Sequence, residues 1–332
     1  MAVVQFGLIA CSRVARRRFL PALQGVDCAR LAHVGSRDAA KAAGYAEEFS
    51  SPKFGDYTAV LADPDLDAVY ISTPPTLHAE WVQQAAAAGK HVLCEKPAFT
   101  TGMEARAAVA ACRANGVRLL EGYAFKYHPQ HARVRALIAT GKIGTPRFFS
   151  AEVVYPRPPD GDIRLQSELA GGVLHDSAGY PVAAAMMQLG AAPISVSCEL
   201  SRDAVSGVDD AVAITLRFPK GEVAQLYAAF GGSYRSRYTI AGTLGRIEVE
   251  RAFAVPTDQS VVINVETAAG VEKITLAPAD QFGLMIAEFC ATLGGGPVSA
   301  NPYEEELLQL QTVMDAVAES ARQQRTLNLS TL

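Results

Sequence analysis

The chain has 332 residues, 49% of them hydrophobic and 19% charged, with a formal net charge of −4. That length allows two domains with substantial cores, and the composition is too apolar for a disordered chain. The mild acidity gives no general attraction to nucleic acid or acidic lipid, no apolar run reaches a membrane-spanning length, and six scattered cysteines (11, 28, 94, 112, 198 and 290) lack the spacing of a disulfide framework or a zinc site.

The N-terminus, Met1-Ala2-Val3-Val4-Gln5, enters a strand at 3–9 with no charged leader, which is the pattern of a reduced, cytoplasmic protein. That strand leads into Gly7-Leu8-Ile9-Ala10-Cys11-Ser12-Arg13-Val14-Ala15 and a helix over 13–24. A dinucleotide fold carries G-x-G-x-x-G/A here, for a tight turn and close approach of backbone to pyrophosphate. Ala10 and Ala15 are small enough for the first and third positions. Ser12 is the departure: its side chain must fit where backbone meets phosphate, or its hydroxyl must donate to that phosphate. Arg13 is a candidate phosphate ligand, and Cys11 and Val14 complete the turn. Arg16, Arg17 and Arg18 point in different directions on a helix and make a solvated face.

A second strand, 30–35, ends in Gly35-Ser36-Arg37. An NAD-preferring site has Asp or Glu at that point on the ribose 2′-hydroxyl, whereas Ser36 and Arg37 suit a 2′-phosphate, which Arg grips with two charge-assisted hydrogen bonds. NADPH is expected ahead of NADH, with Asp38 as the nearby residue that argues the other way. A helix at 38–48, strands at 68–72, 90–94 and 117–120, and helices at 77–88 and 102–115 complete an alternating pattern. It predicts a parallel, doubly wound nucleotide-binding domain over 1–122.

The strand at 90–94 ends in Cys94-Glu95-Lys96-Pro97. Ligands of open α/β sheets bind outside the carboxyl ends of the strands, so Lys96 stands where a substrate would react. The plain alternative is a loop lysine before a turn proline. After a helix at 129–140 the pattern changes to strands at 147–154, 193–202, 211–218, 223–230, 236–241, 245–250, 260–265 and 271–276, with helices at 282–293 and 302–323. This predicts an α+β domain over 123–332, with a large, mostly antiparallel sheet covered on one face. His128 and His131 have no third ligand for zinc, though one of them could meet substrate; His175 is expected to be structural.

Residues 171–180 read Gly-Gly-Val-Leu-His-Asp-Ser-Ala-Gly-Tyr. Two glycines open a predicted helix that carries Asp176 and Tyr180 at i and i+4, on one face. Ketone reduction needs a hydride and a proton for the developing alkoxide. Tyr180, made more acidic by the Lys96 ammonium, could give that proton, and Lys96 could polarise the carbonyl or protonate it directly. Asp176 would orient a sugar hydroxyl or hold Lys96. Without Lys96 upstream, Tyr180 would be an ordinary half-buried aromatic and Asp176 a helix-start charge.

The turn at 10–15, Ser72-Thr73-Pro74-Pro75-Thr76-Leu77-His78, the run from Ala88 through Cys94-Glu95-Lys96-Pro97, and Gly171-Gly172 through Tyr180 together resemble the glucose–fructose oxidoreductase, inositol dehydrogenase and MocA (Gfo/Idh/MocA) family over nearly the whole chain. Gly122-Tyr123-Ala124-Phe125 leading to His128-Pro129-Gln130-His131, and Gly161-Asp162-Ile163-Arg164, look most like the NADPH-dependent 3-ketoreductases of nucleotide-linked deoxysugars in antibiotic pathways. The resemblance implies a Rossmann domain followed by an open-faced sheet used for homodimer or homotetramer contacts. It implies Lys96 as the main catalytic residue, a cis Lys96–Pro97 bond, and Ser72, Thr73, Pro74, Leu77, His78, Glu95, Lys96 and Arg164 along the cofactor. Many members carry His at the position of Tyr180, paired with Asp176. Two departures stand out: Ser12, and Ala170-Gly171-Gly172-Val173-Leu174-His175-Asp176 in place of G-G-G-A-L-L-D.

The leading expectation is NADPH-dependent reduction of a keto-sugar attached to a nucleoside diphosphate. Its substrate would meet Lys96, Tyr123, Asp176, Tyr180 and the segment 155–164, where Tyr155, Arg157, Asp162 and Arg164 offer stacking and charge. Three prolines (156, 158, 159) make that segment equally suited to a stiff connection. The alternatives are an NADP-dependent dehydrogenase of a free aldose or trans-dihydrodiol, and a non-catalytic sugar-sensing protein.

Overall fold

A computed structural model describes residues 3–293 and 302–329. Its first sheet has six parallel strands: β1 (Val4–Ile9), β2 (Ala29–Gly35), β3 (Lys53–Gly55), β4 (Ala68–Ile71), β5 (His91–Cys94) and β6 (Leu119–Glu121). Their order is β3-β2-β1-β4-β5-β6. The central strands are apolar along their length because helices cover both faces; all four residues of β4 are buried. Ile9, Val69, Ile71, Val92, Phe99, Val109 and Leu119 belong to one core cluster. The strand order reverses between β1 and β4, which opens a crevice beyond their carboxyl ends.

The chain divides into two compact units, the described residues of Met1–Ala124 with Phe282–Leu308, and of Phe125–Gln281 with Gln309–Leu332. This division differs from the expected split into 1–122 and 123–332: the described residues 282–293 and 302–308 group with the first unit. Met285, Ile286 and Phe289 are fully buried, Phe289 lies 5.8 Å from the ring of Phe6, and Arg113 donates to Glu304 at 2.7 Å.

The second unit holds a nine-stranded sheet of β7 (Pro146–Tyr155), β8 (Ser195–Arg202), β9 (Asp209–Arg217), β10 (Val223–Phe230), β11 (Arg235–Gly242), β12 (Gly245–Val249), β13 (Val261–Thr267), β14 (Gly270–Leu276) and β15 (Leu327–Asn328), in the order β14-β13-β12-β11-β7-β10-β9-β8-β15. Every neighbouring pair is antiparallel except β7 with β10. Alternation places Val212, Ile214 and Leu216 of β9 inside and leaves Ala213 and Arg217 exposed. The helix Gly179–Leu189 packs on β7 and β10. Among the described residues no helix is long and apolar enough to cross a membrane, and no group of three or more His, Cys, Asp or Glu could hold a metal ion.

One predicted element is different in kind. Residues 171–180 do not form one helix: a short helix, Val173–Asp176, stops at Ser177 (φ −126°), and a second begins at Gly179. Asp176 closes the first and Tyr180 lies in the first turn of the second, so the i, i+4 argument does not relate them.

Candidate active site

The turn after β1 is built by its own hydroxyls. Ser12 Oγ accepts from Ala15 N at 3.1 Å, capping the helix, and donates to Ser72 Oγ at 2.8 Å. Ser72 Oγ in turn donates to the Ala10 carbonyl at 2.9 Å. The Ser12 proton thus ties the ends of β1 and β4 together. Ala10 has φ +78°, a left-handed conformation suited to glycine. An L-residue there costs about 1–2 kcal/mol, partly offset by the greater unfolded-state freedom of glycine. Ala10→Gly should therefore raise stability by about 0.5–1 kcal/mol in urea unfolding; a loss would show that the alanine methyl packs favourably.

Around this turn Arg13 is exposed, Val14 half-buried, and Cys11 4% exposed. Burial pushes the Cys11 thiol up to about 11, against the pull of the Lys41 ammonium and the Ser36 hydroxyl, so it is neutral and unreactive. All six cysteines are free thiols. Arg16, Arg17 and Arg18 are exposed, as expected of a solvated face.

At the end of β2, Ser36 is buried and its Oγ accepts from Asp38 N at 3.1 Å. The Asp38 carboxylate caps the next helix by accepting from Lys41 N at 3.1 Å. That contact engages one of the two carboxylate oxygens. Arg37 is exposed at the strand end, beside the Tyr57 phenol. Beyond β4, Thr73 is 6% exposed and its buried Oγ1 has no hydrogen-bond partner among the described residues, a polar atom awaiting a ligand group. Pro74 and Leu77 beside it are half-buried. A crevice at the sheet's switch point, a capped turn, an uncommitted hydroxyl and an arginine at the β2 end fit a nicotinamide dinucleotide.

Lys96 lies two residues beyond the end of β5, half-buried, and the Lys96–Pro97 bond is cis. Glu95 is 7% exposed; one carboxylate oxygen accepts from the Tyr70 phenol and the other from Lys96 N at 3.2 Å. Tyr70 is itself buried and stacked on Phe19, with centroids 3.6 Å apart. Glu121 accepts from Ala98 N at 2.9 Å, and Gly122 N donates to the Cys94 carbonyl at 2.7 Å. His78 was expected along the cofactor, but it is 1% exposed, with Nδ1 3.0 Å from the Pro97 carbonyl and Nε2 2.8 Å from the Thr73 carbonyl. It braces two loops, and burial holds its pKa below the ordinary value. Tyr123, expected at the substrate, is 2% exposed and part of the packed interior.

In the second unit, Arg164 Nε lies 3.2 Å from Asp176 Oδ1, and Arg164 Nη1 lies 3.2 Å from Asp162 Oδ1. Ser177 Oγ donates to Asp176 Oδ2 at 2.9 Å. Arg164 thus pairs with both Asp176 and Asp162, and the Asp176 carboxylate first among its neighbours raises its pKa. Asp162 is buried and caps the turn by accepting from Arg164 N at 3.1 Å. Arg157, expected at a pyrophosphate, pairs with Asp160 at 3.0 Å and Asp203 at 3.4 Å. Tyr155 is half-buried, with its ring 5.6 Å from that of Tyr234.

Tyr180 is half-buried, its ring 5.7 Å from both Phe125 and Phe253. His131 lies outside this set: it is fully buried, with Nδ1 3.0 Å from the Tyr238 hydroxyl and Nε2 3.0 Å from the Ala252 carbonyl. A carbonyl can only accept, so Nε2 carries the proton and Nδ1 accepts from Tyr238. Burial lowers the His131 pKa to about 3, so it is a neutral structural group and not one that meets substrate. His128 is 1% exposed and accepts from Gln130 N at 3.3 Å. Sequence reasoning missed Tyr70 and Asp209, which support Glu95 and the turn before Asp176; Tyr70 lies 25 residues from its partner and carried no local signal.

Two family profiles cover most of the chain: the oxidoreductase family with NAD-binding Rossmann fold matches residues 4–123, and the GFO/IDH/MocA C-terminal domain matches 131–248. The chain is 37% identical over 325 residues to dTDP-3,4-didehydro-2,6-dideoxy-alpha-D-glucose 3-reductase of Saccharopolyspora spinosa, covering 96% of this chain and 98% of that one. It is 33% identical to D-xylose 1-dehydrogenase (NADP(+)) 2 of Haloferax volcanii, with 96% and 97% covered. A crystal structure of a 3-ketoreductase from Actinomadura kijaniata in complex with NADP and TDP-benzene superposes with a TM-score of 0.91 at 34% identity, covering 96% and 98% of the two chains. The chain belongs to the Gfo/Idh/MocA family, NAD(P)-dependent oxidoreductases acting on sugar CH–OH groups.

Proposed function

We propose that this protein reduces the 3-keto group of a nucleotide-linked deoxysugar with NADPH. The observation that carries this reading is the full-length likeness to dTDP-sugar 3-reductases in a chain that also presents Lys96 and Tyr180. When bound, NADPH supplies the hydride that adds to the carbonyl carbon. The Lys96 ammonium polarises the carbonyl oxygen, and Lys96 or the Tyr180 phenol delivers the proton that completes the alcohol. Asp176, oriented by Arg164 and Ser177, accepts a hydrogen bond from a sugar hydroxyl. Ser36 and Arg37 hold the 2′-phosphate. The exposed face of the nine-stranded sheet, including Gln225 and Tyr227, is the surface for a homodimer or homotetramer. The pathway is that of an antibiotic deoxysugar, in the cytoplasm.

A second reading, oxidation of a free aldose, is favoured by one observation: both Arg157 and Arg164 are engaged by carboxylates, leaving segment 155–164 poorly equipped for a pyrophosphate. A sensor would have no need of a proton donor.

Calorimetric titration with NADPH and NADH, followed by assays with dTDP-3,4-didehydro-2,6-dideoxy-α-D-glucose and D-xylose, tests these readings. NADPH should bind more tightly, and Arg37→Ala should weaken it about 10- to 100-fold, toward an unchanged NADH value. Turnover of D-xylose alone would install the aldose reading, and binding of neither cofactor would remove both.

A further inference from the structure

Three residues between β12 and β13, Arg251-Ala252-Phe253, are held by an unusual number of buried polar groups. His131 Nε2 donates to the Ala252 carbonyl at 3.0 Å, and Gln130 Nε2 donates to the Arg251 carbonyl at 2.9 Å. Gln281 Nε2 donates to the Phe253 carbonyl at 3.3 Å. Ser236 takes both following amides, with Ala252 N donating to its carbonyl at 2.7 Å and Phe253 N to its Oγ at 3.1 Å. His131 and Gln130 are fully buried, Ser236 is 2% exposed and Gln281 7% exposed. Helix 129–139, β11 and the start of helix 281–293 thus converge on one short connection. A loop between two strands ordinarily lies at the surface with its backbone in water. Burying this one commits several polar side chains to a task that apolar packing alone would not require.

The ring that this belt fixes is Phe253. It is 1% exposed and stands 5.7 Å from Tyr180 and 5.2 Å from Phe125, with interplanar angles of 54° and 77°. Phe125 completes the triangle at 5.7 Å from Tyr180. Two rings at these tilted angles restrict the torsions of the tyrosine ring and hence the position of its hydroxyl. We propose that the 251–253 segment is a positioning element for Tyr180, with Phe253 as the contact residue and His131, Gln130, Gln281 and Ser236 as the groups that hold it in register. This rests on Tyr180 as the proton donor. Phe253 acts through the phenol.

The test is a double-mutant cycle with dTDP-3,4-didehydro-2,6-dideoxy-α-D-glucose and NADPH. Phe253→Ala should lower kcat about 10- to 100-fold, the loss expected for a misplaced acid, with the NADPH KM unchanged. In a Tyr180→Phe background the same substitution should cost nothing further. Gln281→Leu keeps volume while removing one anchor, and should repeat the pattern at smaller size if Phe253→Ala does not fold. In cofactor-free protein labelled with 3-fluorotyrosine, the Tyr180 resonance, assigned by its loss in Tyr180→Phe, should move in both variants. Multiplicative losses in the double mutants, or an unmoved resonance, would overturn the positioning role while leaving Tyr180 as donor. Full activity of Tyr180→Phe would instead remove the donor reading, and this proposal with it.

Discussion

Lys96→Met is expected to lower kcat by roughly 10²- to 10⁴-fold while leaving NADPH affinity within a few-fold of wild type. Methionine keeps most of the stem's length and removes the ammonium, so the change reads the charge and its protons. The backbone should hold, because the loop is fixed independently of the Lys96 side chain. Glu95 N donates to the Ile71 carbonyl at 2.9 Å, Ala98 N to Glu121 at 2.9 Å, and Gly122 N to the Cys94 carbonyl at 2.7 Å. His78 faces the Pro97 carbonyl from the other side. Electrostatic stabilisation of a developing alkoxide is worth about 10²–10³ in rate and general-acid transfer about 10²–10⁴. A residue supplying either should show losses of that size in single-turnover reduction of the dTDP-keto-sugar. Turnover within about tenfold of wild type, with NADPH bound normally by calorimetry, would take Lys96 out of the chemistry.

The parts of the fold that were legible in the sequence are those whose signal is local. The apolar runs of β1, β4 and β5 mark buried parallel strands, and Lys96 stands out as a candidate because a strand's end is where such sheets bind ligands. β3 has only three residues, Lys53–Gly55, and the helix Tyr57–Leu61 owes its start to a cap in which Asp56 accepts from Ala59 N at 2.7 Å; neither is long enough to show a period. The break after Asp176 did leave a trace, since Pro181 sits in the first turn of the following helix, where proline favours a start. Partners distant in sequence left none. Ser12 and Ser72 are 60 residues apart, and Arg157 and Asp203 are 46 apart, so composition shows the charge or hydroxyl without showing what takes it up. The apolar face of 281–293 was equally plain, but periodicity says that a face is buried without saying against which core.

Gly172→Ala should destabilise the second unit by about 4 kcal/mol. Gly172 has φ +108° and ψ 156°, a region essentially reserved for glycine, and forcing alanine into it costs about 1–3 kcal/mol. A Cβ there would lie 2.4 Å from Asp209 Oδ1 and 2.9 Å from Oδ2. Asp209 is 8% exposed and cannot swing into water without moving its surroundings. Its Oδ2 accepts from Leu174 N at 2.5 Å, which caps the short helix ending in Asp176. Displacing the carboxylate removes that cap, worth about 1 kcal/mol, and leaves a buried acceptor short of a partner, worth about 1–3 kcal/mol. Gly161→Ala separates the two effects: φ is +81° there, yet nothing lies within 4 Å of the added Cβ, so only the backbone cost of about 1 kcal/mol should appear. Urea unfolding of the two variants should therefore differ by about 3 kcal/mol. Equal losses would mean that Asp209 yields freely and that the double glycine serves the backbone alone. A large excess at Gly172, joined to a fall in kcat in whatever protein remains folded, would tie the turn to the placing of Asp176.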